Sequence, residues 1–197
     1  MPPRQAIFGG TFDPPHAGHV AVAVCAREQL DIDLLHIVVA NDPWQKSAQR
    51  LVTPAHHRFA MAQLAFRDFD GMIVSDLEIR RGGPTYTIDT VAELEQPGIE
   101  TLLVMGPAAA NGVSTWHRAV ELAERVRLAV VQPRGELPVH LEGWRTETVL
   151  MEPVEASATF VRALLTHRAH QDIPPQAVQL VPPAVMSYIV ENRLYSP

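Results

Sequence analysis

The chain has 197 residues, of which 47% are hydrophobic and 19% charged, and its formal net charge is −6 at pH 7. This composition predicts a globular protein without a membrane span, and its 16 thinly spread Lys and Arg residues exclude a broad nucleic-acid surface. Because Cys25 is the only cysteine and no secretory leader opens the chain, we expect a cytoplasmic location.

The first predicted strand covers residues 5–8 and runs into two glycines, and an alanine-rich helix is predicted over residues 17–30. The stretch from Gly9 to His19, GGTFDPPHAGH, therefore forms a turn from strand to helix. Its glycines allow a ligand to approach the backbone closely, and the start of the helix presents unpaired N–H groups. Both features favour an anion-binding site.

Two histidines, His16 and His19, stand three residues apart at the positive end of this helix. Both imidazoles can donate hydrogen bonds to phosphate oxygens and so stabilise the charge that develops in a phosphoryl or nucleotidyl transfer. Core histidines in a tight turn are the alternative, and the preceding Gly-Gly-Thr-Phe-Asp-Pro favours phosphate binding over it. Asp13 is predicted to brace the turn.

The next apolar run, residues 34–40, predicts a second, parallel strand and completes a βαβ unit. The loop that follows lies at the carboxyl end of this strand, where ligands bind in open α/β sheets. Lys46 in this loop is the candidate phosphate clamp, whereas Trp44 is expected to pack over the sheet edge. Thr53 and Pro54 predict the start of another helix, with Arg58 as an internal ion-pair partner.

A third strand over residues 71–75 leads, through residues 77–81, to a Gly-Gly-Pro turn and a helix from about Thr85 to Glu95. This is a second strand-to-helix turn at the ligand edge of the sheet. Thr85, Tyr86 and Thr87 offer hydroxyl and N–H groups to a small carboxylate or a ribose. A capped helix with Tyr86 in the core is the alternative, which the double glycine disfavours.

A fourth strand, residues 101–105, ends at Gly106, and Trp116 is predicted to open a helix after a short loop. The fifth and sixth strands are predicted over residues 128–131 and 148–151, separated by a polar loop whose Trp144 and His140 receive no role. A helix beginning near Ser157 carries Thr159 and Arg162, and these groups make a second phosphate-binding end.

The alternation of strands and helices predicts an α/β fold with a doubly wound parallel sheet. We predict one domain over residues 1–197, with residues 153–197 as a small appended helical subdomain whose last helix begins at Pro182 and Pro183. His167 and His170 lack a third ligand, so no metal site is expected there.

These motifs resemble a known family. Residues 10–19, GTFDPPHAGH, are similar to the motif of the nucleotidyltransferase superfamily, which shares its fold with class I aminoacyl-tRNA synthetases. The run RGGPTYTIDT, residues 81–90, is more specific and resembles the bacterial nicotinate-nucleotide adenylyltransferase family. The resemblance extends nearly end to end and also includes Pro43–Lys46, His57, Arg58, Met61, Trp116, Thr159, Arg162, Tyr188, Ile189, Asn192, Leu194 and Tyr195.

This resemblance implies a Rossmann-like nucleotidyltransferase fold and a reaction in NAD biosynthesis. The phosphate of nicotinate mononucleotide attacks the α-phosphorus of ATP, which carries Mg²⁺, and pyrophosphate leaves. The implied partners are these two small molecules, with no nucleic acid and no membrane; the sequence indicates no oligomeric state.

The resemblance also assigns residues to roles, with the nicotinate carboxylate near Thr85 and the pyridine ring stacked on Trp116. The implied catalytic residues are His16, His19, Lys46 and Arg162. The implied ATP-binding residues are Gly9, Gly10, Thr11, Phe12, His16, His19, Gly106, Ser157, Thr159 and Arg162. The implied mononucleotide-binding residues are Lys46, Thr85, Tyr86, Thr87 and Trp116.

Three positions depart from the family pattern, all on the half that is expected to hold ATP. Ala108 stands where the family has a ribose-binding Asp, Gln132 stands where it has Arg, and Ala158 replaces the second serine of a pair. Two alternatives therefore remain: a weakly active or non-catalytic homologue that binds a pyridine nucleotide, and a transferase for a different nucleotide or acceptor. The retained histidines, Lys46 and Arg162 favour an enzyme.

Overall fold

The computed structural model describes residues 2–42, 51–166 and 173–195. The strands within these ranges are β1 Arg4–Gly10, β2 Leu34–Val39, β3 Met72–Ser75, β4 Glu100–Met105, β5 Val126–Pro133 and β6 Thr146–Met151. The helices are α1 Ala17–Gln29, α2 Ala55–Phe66, α3 Leu77–Arg81, α4 Thr87–Leu94, α5 Pro107–Gly112, α6 Ala119–Arg125, α7 Ala158–Leu165, α8 Pro175–Leu180 and α9 Pro183–Glu191, with a short 3₁₀ helix at Val113–Thr115. Of these helices, none has the length and apolar character needed to span a bilayer.

The strands form one sheet in the order β3-β2-β1-β4-β5-β6, and every neighbouring pair is parallel. The predicted doubly wound parallel sheet is confirmed. The chain forms β1, β2 and β3 in order towards one edge of the sheet and then crosses to the other side of β1, where β4 pairs with it. This reversal of direction opens a crevice between the carboxyl ends of β1 and β4, where ligands bind in such sheets.

Both faces of the sheet are buried, which explains why its central strands read as continuous apolar runs. Along β1, Ala6 and Phe8 point into one core layer together with apolar side chains of α1 and α2. Ile7 points to the opposite layer, where it meets Ile88 and Val91 of α4. The alternation follows from the two-residue period of a strand.

The carboxyl-terminal helices pack in the first of these layers. Val161 of α7, Ala177 of α8 and Ile189 of α9 belong to the same buried cluster as Ala6 and Phe8 of the central strand. The segment predicted as an appended subdomain therefore shares its hydrophobic core with the sheet. α9 begins at Pro183, as the proline pair predicts.

Several helix boundaries differ from the sequence-based expectation. Helix α4 begins at Thr87, with Tyr86 as its N-cap, and not at Thr85. A helix, α5, occupies the stretch predicted as a loop, because Pro107 at its first position and the alanines that follow favour helix initiation. Trp116 consequently lies at the end of the 3₁₀ helix and opens no helix.

Candidate active site

The turn between β1 and α1 is built around Phe12, whose φ of 50° turns its ring inward. The ring is buried and packs edge-on against Phe8 and Phe66, with centroids 5.7 and 6.1 Å away. A Cβ atom at Gly10 would lie 2.8 Å from this ring, so Gly10 is required by packing within the protein. The side chain of Phe12 therefore belongs to the core, and its backbone is the part available for the predicted contact with ATP.

The two histidines lie together at the start of α1, with ring centroids 3.8 Å apart. The backbone N–H of His16 donates to Nδ1 of His19 over 3.2 Å. Because Nδ1 accepts this bond, a neutral His19 carries its proton on Nε2. The His16–His19 pair thus has a fixed relative orientation, as the three-residue spacing predicts.

His16 is only 7% exposed, and its burial lowers its pKa from 6.5 to about 4. The imidazole is therefore neutral at pH 7 and can donate one hydrogen bond. Its Nδ1 atom is buried and has no hydrogen-bond partner among the described residues. Gly18 makes room for the ring, since a Cβ atom there would come within 3.1 Å of it.

Asp13 joins this turn to the carboxyl-terminal part of the chain. Its buried carboxylate accepts a 2.8 Å hydrogen bond from the Tyr195 hydroxyl, whose pKa is raised by burial and by the charge of Asp13. Its backbone carbonyl accepts a 2.7 Å bond from Arg162, which also donates to the Thr159 hydroxyl. Arg162 therefore lies beside the histidine turn, and Asp13 has the bracing contacts predicted for it.

A cavity of about 520 Å³ opens at the carboxyl ends of β1 and β4, and we call it the central cavity. Most of the residues predicted for the mononucleotide line it, together with the backbone of the first turn. The predicted residues among its walls are Gly9, Gly10, Thr11, Thr85, Tyr86, Thr87, Gly106 and Trp116. Polar residues that were not predicted as site residues also line it, namely Asp42, Glu78, Thr90, Thr115 and His117.

Two of these missed residues had a usable signal in the sequence. Thr90 lies three positions after Thr87 on α4, so both hydroxyls are on one helix face. His117 directly follows Trp116, and its ring stacks on Tyr86 with a centroid separation of 4.4 Å. Tyr86 is half-buried and lies at the wall of the central cavity. It therefore matches neither alternative fully, because it is partly packed in the protein and also borders the space open to a ligand.

The loop before α4 depends on its two glycines. Gly82 adopts a φ of 70° and a ψ of 178°, a combination that is almost restricted to glycine, and Gly83 has a φ of 68°. The side-chain amide of Asn41 donates to the Gly83 carbonyl over 3.1 Å, and Asp42 forms a parallel bridge with Pro84. The loop is therefore attached to the end of β2 before it reaches the central cavity.

A buried carboxyl group, Glu78, stands at the base of this loop. Its burial raises its pKa, while a 2.5 Å hydrogen bond from the Thr90 hydroxyl and the charge of Arg81 oppose that rise. Arg81 donates to the same hydroxyl and pairs with Glu93 over 2.7 Å. These contacts fix α3 against α4 on the side of the cavity where the mononucleotide is predicted to bind.

On the side expected to hold ATP, Gln132 has a structural role and Ala108 lies exposed, whereas Ala158 is half-buried at the start of α7. Gln132 is buried, and its amide accepts from the backbone N–H of Val139 and donates to the carbonyl of Leu137. It thereby closes the loop after β5. Ala108 is exposed on α5. The Ser157 hydroxyl accepts from the Phe160 N–H and caps α7.

The structure thus groups the predicted residues into two sets. His16, His19 and Arg162 lie around the first turn, whereas the central cavity is lined by four of the residues predicted for the mononucleotide, namely Thr85, Tyr86, Thr87 and Trp116. Lys46 and Trp44 lie outside the described residues, as do His167 and His170. Arg58, expected to form an ion pair, donates to several backbone carbonyls.

The chain is similar to known proteins over nearly its whole length. Residues 7–164 match the cytidylyltransferase-like family model. A nicotinate-nucleotide adenylyltransferase of Methylibium petroleiphilum is 38% identical, covering 98% of this chain and 93% of that protein. One of Corynebacterium kroppenstedtii is 36% identical, covering 99% and 92%.

Solved structures show the same fold. The nicotinic acid mononucleotide adenylyltransferase of Plasmodium falciparum complexed with NaAD has a TM-score of 0.78 at 19% identity, covering 98% of this chain and 97% of that one. The same protein complexed with APC has a TM-score of 0.76 at 18% identity, over the same shares of the two chains. The predicted Rossmann-like architecture is thereby confirmed.

Proposed function

The chain belongs to the nicotinate-nucleotide adenylyltransferase family, within the cytidylyltransferase-like group, and from this premise we propose which of its residues carry out the reaction. The enzyme transfers the adenylyl group of ATP to nicotinate mononucleotide in NAD biosynthesis. A phosphate oxygen of the mononucleotide forms a bond to the α-phosphorus, and the bond from that phosphorus to the β-phosphate oxygen breaks. The products are nicotinate adenine dinucleotide and pyrophosphate.

The catalytic step is assigned to His16, His19, Lys46 and Arg162. Phosphoryl transfers require positioning and stabilisation of charge, and no covalent intermediate on the protein is needed. The fixed orientation of the histidine pair and the position of Arg162 beside the same turn support this assignment. Family membership favours this catalytic role over the non-catalytic homologue.

The ATP phosphates are assigned to the first turn and to the start of α7. The proposed binding groups are the backbone of Gly9, Gly10, Thr11 and Phe12, the imidazoles of His16 and His19, Gly106, and the side chains of Ser157, Thr159 and Arg162. Mg²⁺ enters with ATP as part of the substrate and neutralises the polyphosphate. We place the reaction in the cytoplasm.

The mononucleotide is assigned to the central cavity. Thr85, Tyr86 and Thr87 bind its nicotinate carboxylate, Trp116 stacks on the pyridine ring, and Lys46 contacts its phosphate. Support comes from the cavity, which brings the Thr85–Thr87 segment and Trp116 to one space at the switch point of the sheet. An aromatic face over a flat, cationic heterocycle gains both stacking and cation–π energy.

We further propose that residues 1–197 work as one domain, with residues 153–197 as its appended helical part. The shared core of α7, α8 and α9 with the sheet supports this, as do the contacts of Arg162 and Tyr195 with Asp13.

The observation that carries the assignment of residues is the shared location of the two turns, residues 9–11 and 85–87, at the walls of one cavity. The test is a pyrophosphate-release assay with MgATP and nicotinate mononucleotide, in which the dinucleotide is quantified chromatographically. We expect equimolar pyrophosphate and dinucleotide, and neither product when either substrate is omitted. Pyrophosphate without dinucleotide would contradict the proposed acceptor.

A further inference from the structure

Arg58 lies on the first turn of α2 and is one of the most deeply buried charged side chains of the described chain, at 1% exposure. Its guanidinium donates to four backbone carbonyl oxygens of described residues. The acceptors are Thr53 at 2.8 Å, Thr11 at 3.0 Å, Ala40 at 2.6 Å and Asn41 at 2.8 Å.

These carbonyls belong to separate segments that meet at the ligand edge of the sheet. Thr11 is part of the histidine turn after β1, whereas Ala40 and Asn41 follow β2. The N–H of Ala40 also donates to the Gly10 carbonyl over 2.9 Å. The planar fork of a guanidinium can bond several carbonyls at fixed spacing, which the compact ammonium of a lysine cannot reproduce.

The same contacts continue to the mononucleotide side of the cavity. Asn41, whose carbonyl is held by Arg58, donates its side-chain amide to the Gly83 carbonyl, and the adjacent Asp42 forms a bridge with Pro84. Gly83 and Pro84 immediately precede Thr85. A short series of hydrogen bonds therefore runs from the histidine turn through Arg58 and Asn41 to the loop that is assigned to the nicotinate carboxylate.

We propose that Arg58 is a positioning residue for adenylyl transfer, which sets the distance between the ATP-side turn and the mononucleotide-side loop by holding the backbone of both. The inference rests on the proposed function. The attacking phosphate oxygen and the α-phosphorus must be held about 3–3.5 Å apart, and a displacement of about 1 Å can cost about a hundredfold in rate. Arg58 touches no reacting atom and acts through the segments that bind the two substrates.

The test compares steady-state kinetics of the wild type, Arg58→Lys and Met61→Ala. Met61 is fully buried on the same helix, so Met61→Ala removes core packing while keeping the guanidinium that holds the two turns. We expect Arg58→Lys to lower kcat/KM by about tenfold to a hundredfold and to raise KM for both substrates. Met61→Ala should stay within about twofold of the wild type at a temperature where both variants are folded, despite a lower melting temperature.

A purely structural role for Arg58 would give Arg58→Lys the wild-type kinetic constants together with a lower melting temperature, and that result overturns the proposal. Should Arg58→Lys fail to fold, Asn41→Ala tests the second link and should raise KM for the mononucleotide about tenfold with KM for ATP unchanged. Unchanged KM values for both substrates in Asn41→Ala would also overturn it.

Calorimetric titration separates this inference from the proposed function. If the wild type releases no pyrophosphate with nicotinate mononucleotide, the proposed function fails, and the role of Arg58 is read from ATP binding alone. We then expect Arg58→Lys to bind ATP about tenfold more weakly than the wild type and Met61→Ala to bind it equally. Equal ATP affinity in all three proteins would reject the positioning role.

Discussion

The mononucleotide side of the site presents polar groups to an existing cavity, whereas the polar groups on the ATP side largely contact the protein itself. Thr85, Thr87 and Trp116 line the central cavity, and the contacts of Glu78, Thr90 and Arg81 fix α3 against α4, the helix that begins at Thr87. On the other side, Ser157 caps a helix, and Arg162 donates to Asp13 and Thr159.

This difference has an energetic consequence. A ligand that enters the central cavity meets walls whose positions are already fixed by buried contacts, so little ordering cost accompanies binding. ATP phosphates that engage Ser157 or Arg162 must replace contacts already made inside the protein. We therefore expect the mononucleotide side to determine substrate selection, and the ATP side to supply stabilisation that grows as charge develops in the transition state.

The largest expected effect concerns the histidines at the junction of the two sides. His19→Ala and His16→Ala should each lower kcat by about 10²–10³-fold, as expected when one donor to a developing oxyanion is lost. The matched control is His140→Ala, which removes an exposed loop histidine and should leave kcat unchanged. Because His16 is buried, His16→Ala should also lower the melting temperature, whereas His19→Ala should lower it less. Wild-type turnover in either variant would contradict the catalytic assignment.

The second effect is the dependence of stability on pH. His16 takes up a proton at about pH 6.5 in the unfolded chain, but only near pH 4 in the folded protein. The unfolded state thus binds more protons between these values, and the free energy of unfolding falls as the pH is lowered from 6.5 to about 4. His16 should contribute about 3 kcal/mol to this fall.

Chemical denaturation of the wild type and His16→Gln at several pH values measures this contribution. The variant should lose less stability over the acid range than the wild type does. His36 is also buried with a lowered pKa, and it leaves a residual slope in both proteins. Equal slopes in the two proteins would show that His16 is not the group that resists protonation.

The third effect tests selection by the central cavity. Nicotinate mononucleotide should be preferred over its amide by about tenfold to a hundredfold in kcat/KM, because backbone N–H groups near Thr85 donate to a carboxylate more strongly than to an amide. Thr85→Pro deletes one N–H group and should reduce this preference more than Thr85→Ala does. If both variants reduce the preference equally, the selectivity comes from the Thr85 hydroxyl. If the wild type uses both mononucleotides equally, the proposed binding of the nicotinate carboxylate near Thr85 is contradicted.

Much of the fold follows from local pattern. Apolar runs with β-branched residues predict the strands, and the glycines after β1 predict the first turn. The Gly-Gly pair also marks the second loop, because Gly82 needs a conformation that other residues avoid, but this loop follows helix α3 and not a strand as predicted. The position of an individual side chain at the site, by contrast, depends on residues that are distant in the sequence. The four acceptors of Arg58 come from three separate segments, and the inward ring of Phe12 requires Phe8 and Phe66, so neither contact has a local signal.

The smallest expected effect addresses the exposed position on the ATP side. A carboxylate introduced by Ala108→Asp near Gly106 can accept hydrogen bonds from the adenosine ribose, but solvent screens an exposed charge. We therefore expect a gain of about 1 kcal/mol, or about fivefold in ATP affinity, with mononucleotide affinity unchanged.

Ala109→Asp is the matched control for this variant. It adds the same charge one position along α5 at the cavity wall, where it should weaken binding of the anionic mononucleotide instead. Calorimetric titration of both ligands measures the two effects. Unchanged or weaker ATP binding in Ala108→Asp would mean that the ribose is held by other groups, and the contrast between the two sides would then rest on the phosphate contacts alone.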